Sequence, residues 1–81
     1  MAASRQDVDR WIDTAKKGKY HYIISVCDTF DYDDYPVYCE TKEEAKEQFT
    51  AHHGPNMQRV NEIIAIDKSG AVTEGLYIHD L

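Results

Sequence analysis

The chain is short of the features that most often announce a function. No apolar run approaches the ~20 residues needed to cross a bilayer, and the opening MAASRQDVDR lacks the apolar core of a secretory signal. The expectation is a cytoplasmic protein with no membrane partner. Cysteine is scarce, with only Cys27 and Cys39. A reducing compartment would keep both as free thiols. A hairpin pairing Tyr20–Cys27 with Pro36–Glu40 would bring them close, and the sequence leaves their pairing open. Their spacing from His52 and His53 fits no zinc ribbon or finger, which uses close ligand pairs. Bases are few: nine Lys and Arg stand against fifteen acids. Without a clustered basic stripe, direct nucleic-acid binding is not expected. There is no internal repeat or low-complexity tract, and only two prolines interrupt the chain.

What is abundant is acid, and it is concentrated. Eight acids (Asp28, Asp31, Asp33, Asp34, Glu40, Glu43, Glu44 and Glu47) lie within twenty residues that hold only the bases Lys42 and Lys46. That window carries the whole formal charge of −6, because the remaining seven acids and seven bases cancel. A local field of this kind bears on partners and solubility rather than on fold. Its densest part, CDTFDYDDYPVY at positions 27–38, interleaves the aspartates with Phe30, Tyr32, Tyr35 and Tyr38.

Eighty-one residues make one small domain, of a size that buries only roughly 60–65% of its unfolded surface. Residues 1–5 read as a loose tail. Val8, Trp11, Ile12 and Ala15 then fall on one helical face from about Gln6 to Lys17, with Gly18 as the stop. Tyr20–Cys27 has apolar residues on both alternating sets, the pattern of a central strand. Val37–Thr41 reads as a second strand after the acidic loop. Thr41 and Glu44 form a capping-box signature for a helix running to about His52, and Gly54-Pro55 ends it. Met57–Asp67 and Ala71–His79 read as a hairpin about the Asp67-Lys68-Ser69-Gly70 turn. The order is α-β-β-α-β-β. The expected fold is an α+β single domain, residues 1–81, with an antiparallel sheet and two helices packed on one face.

Chemistry-bearing constellations are hard to assemble. An aspartyl-nucleophile strand would want a second aspartate at position 30, which is Phe30. A calcium-binding loop started at Asp31 would need glycine and glutamate where Pro36 and Lys42 stand. Cys27 with His21 or His79 lacks any identifiable third partner. The expectation is therefore no enzyme, no cofactor and no metal ion.

CDTFDYDDYPVY together with NMQRVNEII resembles small proteins of unassigned role encoded by bacteriophages and prophages. The resemblance spans about Asp7 to Ile66 and carries no activity to transfer. It implies a short protein of the host-cell cytoplasm that binds and inhibits. The leading expectation is an anti-CRISPR-like or other anti-defence inhibitor that reaches a host protein with a basic nucleic-acid-binding surface by protein–protein contact. Asp28, Phe30, Asp31, Tyr32, Asp33, Asp34, Tyr35, Glu43, Glu44 and Glu47 would form the contact. The alternative expectation is a homodimeric protein that sequesters a nucleotide signal, with His21, Tyr32, Tyr35, Asn56 and Arg59 as ligand-binding residues.

Overall fold

The computed structural model describes residues 4–54 and 57–81. Helix α1 (Arg5–Lys17) is followed by strands β1 (Tyr22–Asp28) and β2 (Asp33–Cys39). Helix α2 (Lys42–His52), strands β3 (Gln58–Ile66) and β4 (Val72–Leu76), and a 3-10 turn at Ile78–Asp80 complete the order. The sheet is antiparallel throughout, in the order β2-β1-β3-β4. The α-β-β-α-β-β reading of the sequence matches this architecture.

Strand β1 sits between β2 and β3, and Ile23 through Cys27 are buried without a break. Because side chains alternate across a strand, its residues feed two cores. Ile23 pairs in register with Ile64 and joins Trp11, Ile12, Ala15 and Ile66 beneath α1. Ile24 pairs with Ile63 and joins Val26, Cys39, Ala45, Phe49 and Val60 beneath α2. The helices therefore cover opposite faces of the sheet. This corrects the expectation of both helices on one face. The doubled apolar residues in β1 and β3 need a cover on each side, and one helix serves each.

The helix ends follow local chemistry. Ser4 caps α1 with a full capping box, its hydroxyl accepting from the Asp7 N–H while the Asp7 carboxylate accepts from the Ser4 N–H. Arg5 opens the helix and reaches Glu74 of β4 at 2.7 Å. Ser4 and Arg5 thus belong to the fold rather than to a loose tail, and residues 1–3 lie outside the described chain. Thr41 caps α2 by accepting the Glu44 N–H at 3.1 Å. Gly18 ends α1 as expected, but with φ −90°; the left-handed residue is Lys19, at φ 62°. Gly18 is needed for another reason: a Cβ there would lie 2.7 Å from the Tyr20 ring.

The largest differences in strand bounds are at the start of β2 and the end of β4, which stops at Leu76 instead of His79. Asp33, Asp34 and Tyr35 lie in β2 rather than in the loop, because Asp28, Cys27 and Val26 of β1 pair with them. Pro36 is accommodated opposite Ser25 because β2 is an edge strand. At the other edge, Val72 faces α1 while Leu76 and Ile78 face α2. A register irregularity between Ile63 and Ala65 and a left-handed Gly75 (φ 76°) separate them, so Val72 does not share a face with Leu76 and Ile78 although the even spacing of a regular strand would place all three together.

Two cores sharing one strand make a specific prediction. Ile23→Ala and Ile24→Ala should each lower the unfolding free energy by about 2–5 kcal/mol in denaturant titrations. A large loss from only one would show that the other helix contributes little to the folded state.

Candidate functional site

The turn between β1 and β2 is four residues, Thr29–Tyr32, held from below by Asp28 and from the side by the segment entering β3. The Asp28 carboxylate accepts the Phe30 N–H at 2.9 Å, and its carbonyl accepts the Tyr32 N–H at 2.6 Å. The Thr29 N–H and hydroxyl both donate to the Met57 carbonyl, at 2.7 and 2.5 Å. These bonds use the polar groups of the turn and leave its apolar side chains outside. Phe30 is 71% exposed, Tyr32 66% and Met57 57%. These are the exposed large apolar side chains among the described residues.

Three local costs accumulate here. Tyr32 (φ 58°) and Met57 (φ 61°) occupy the left-handed region, where glycine or asparagine sits more easily. Asp28 and Asp33 stand directly opposite each other in the ladder, a like-charge arrangement that destabilises strand pairing. Glycine and a cross-strand base would suit the fold better at these positions. Local rules are most often broken where a surface is used for something else.

The expected contact residues are not one continuous patch. Asp28, Phe30, Asp31, Tyr32, Asp33 and Asp34 are gathered on the tip and its flanks. Tyr35 is half-buried beneath α2, where its hydroxyl accepts from Gln58 Nε2 at 2.6 Å and its ring meets His52 edge-on. Helix α2 begins beside Cys39, at the far end of β2, and runs back toward the tip. Glu43 and Glu44 in its first turn therefore stand about 12–14 Å of helix away from its tip-proximal end, with Glu47 in between.

The expected ligand residues are dispersed as well. Tyr32 and Arg59 line an open cleft of about 260 Å³ on the α1 side of the sheet, with Ser25, Cys27, Asp34 and Glu62. Helix α1 covers only the other half of this face, which is why polar residues line the remainder. His21 lies at the opposite end of β1, Tyr35 on the opposite face, and Asn56 outside the described residues.

No protein-family model, curated protein or solved structure matches the chain. The chemistry of the site therefore rests on its own residues.

Among the described residues, no three His, Cys, Asp or Glu side chains converge to hold a metal ion, and no helix is long and apolar enough to cross a membrane. The two cysteines are free and buried, on opposite faces of the sheet. Burial, reinforced by the Asp34 carboxylate, pushes the Cys27 thiol up, and Arg59 only partly offsets this. Burial, with the nearby Glu44 charge, pushes Cys39 up to about 12. A thiol that keeps its proton is a poor nucleophile. Met57 and the cleft residues Ser25 and Glu62 escaped the sequence reading. Met57 is brought to the tip by hydrogen bonds from Thr29, a tertiary contact with no local signature.

The Cys39 shift has a consequence for stability. The unfolded chain releases this proton near the ordinary value of 9.0, whereas the folded chain holds it to about 12. Its contribution is thus full below about pH 9 and is lost as pH rises through that window, by up to about 1.4 kcal/mol per pH unit. Cys39→Ala should flatten the decline in denaturation midpoint measured from pH 8.5 to 10.5. An unchanged slope would show that another group causes it.

Proposed function

We propose that this chain is a non-enzymatic binding protein that docks its acidic hairpin tip on the basic, nucleic-acid-binding surface of a partner and blocks that surface. The observation that carries the reading is the combination at the tip: Phe30, Tyr32 and Met57 project into solvent, two of them from left-handed backbone, among Asp28, Asp31, Asp33 and Asp34. Apolar and aromatic side chains anchor an interface when a partner excludes water from them. The surrounding carboxylates favour a basic partner and accelerate encounter with it. Glu43, Glu44 and Glu47 are too far along α2 to belong to the anchor and act as a second, long-range source of field. The resemblance to phage-encoded proteins supplies the setting: a host defence complex of the CRISPR type, inhibited in the host cytoplasm.

The strained residues separate an interface role from a structural one. Tyr32→Gly relieves the left-handed backbone and removes the anchor together, so it should keep the melting temperature close to that of the wild type while abolishing partner binding. The partner is captured on tagged protein at low salt, identified by mass spectrometry, purified, and tested for binding directly. Association should weaken steeply as salt rises, and Asp31→Asn with Asp33→Asn should slow association more than it speeds release. The partner's hold on nucleic acid should fall as the complex forms. Equal binding by wild type and Tyr32→Gly, or binding indifferent to salt and to the aspartates, would overturn the reading.

A further inference from the structure

At the end of β1 opposite the acidic tip, on the α1 side of the sheet, the charge is reversed. Lys16 in the last turn of α1, Lys19 just beyond it and Lys68 in the β3–β4 turn surround a cleft of about 390 Å³, within the range of small-ligand sites. Among the described residues, none of these three lysines forms an ion pair, whereas neighbouring Lys17 is engaged by Asp13. The one acid lining the cleft, Asp67, is turned to its own loop. Its Oδ1 accepts from the Ser69 N–H, the Ser69 hydroxyl and the Ala71 N–H at 2.8, 2.6 and 2.9 Å. In a chain of net charge −6, a recess with three uncompensated lysines is a local inversion of the field.

Two further observations point inward to a ligand. The His21 ring is oriented by a 2.9 Å contact between Nδ1 and the Ile66 carbonyl. A carbonyl can only accept, so Nδ1 carries the proton and Nε2 is left for another group. Lys19 occupies left-handed backbone although Gly18, which could adopt it at no cost, stands next to it at φ −90°. The strained position is given to a cation that lines the cleft.

We propose that this cleft binds a phosphorylated small molecule, with Lys16, Lys19 and Lys68 as charge partners of its phosphate groups and His21 Nε2 accepting from a hydroxyl of the same molecule. The aromatic wall argues against recognition of a nucleobase. Tyr20 stacks on Tyr38 with ring centroids 5.5 Å apart, and its Cδ2–Cε2 side lies against Gly18. One face and one edge of Tyr20 are thus already occupied within the fold, unlike the open platforms that single-stranded nucleic acid uses. The lysines close round one recess instead of following a strand.

The test is an NMR titration of the full chain with inorganic pyrophosphate, with sodium chloride at matched ionic strength as control. Saturable shifts at Lys19, His21, Lys68 and Gly70, and none at Lys42 and Lys46 of α2, are expected. Lys16→Gln and Lys68→Gln should each weaken binding about tenfold, the usual effect of losing one charge-assisted contact. Both positions are exposed, so neither change threatens folding. Lys19→Gly should weaken binding while raising the melting temperature. Shifts reproduced by chloride, shifts shared equally by Lys42 and Lys46, or affinity unchanged in Lys68→Gln would overturn the site. Tighter binding of a single-stranded oligonucleotide at equal phosphate concentration would overturn its assignment to a small molecule. None of these outcomes bears on the hairpin tip, whose reading stands or falls separately.

Discussion

Everything in this fold depends on β1 being buried on both faces. With eighty-one residues there is not enough apolar material for one thick core. The chain instead builds two thin ones and lets Ile23 and Ile24, adjacent in sequence, serve one each. Their partners Ile64 and Ile63 repeat the device in β3. Neither helix could be lost without exposing an isoleucine from each of these strands, so the two layers stabilise each other through the sheet.

This economy decides where function can sit. The middle of the sheet is committed to packing, and the polar residues are driven to the ends of β1 and to the half of one face that α1 does not reach. One end gathers carboxylates and exposed apolar side chains; at the other, Lys16, Lys19 and Lys68 surround a recess on the α1 side, while Glu43 and Glu44 open α2 on the opposite side. The seven residues of β1 hold the two ends about 20 Å apart. All three non-glycine residues with left-handed backbone among the described chain, Lys19, Tyr32 and Met57, lie at these ends. Strain is absent from the core and confined to the surfaces proposed for binding.

Much of this was legible from residue spacing. Val8, Trp11, Ile12 and Ala15 define the buried face of α1 as their spacing implies, and the doubly apolar β1 is central. The same doubling in Ile63-Ile64 already implied a second covered face. Assigning both helices to one side followed a general habit of α+β folds instead of that local evidence. The acidic window was visible, but its division was not: whether Glu43 lies beside Asp31 depends on the direction of α2, which chain order does not determine. Lys16, Lys19 and Lys68 are separated by up to fifty-two positions. Only the return of β3 to the start of β1 brings them round one recess, and no pattern along the chain could signal that.

Pro36 has a consequence beyond its own strand. Proline is tolerated in an edge strand where its nitrogen faces away from the paired neighbour, so the outer rim of β2 lacks a donor at its midpoint. Asp33 and Asp34 charge the same strand. A passing extended segment, including a second copy of this chain, finds an interrupted template along that edge. The rim is thus a poor template for strand addition, and it runs directly into the exposed, partly apolar tip.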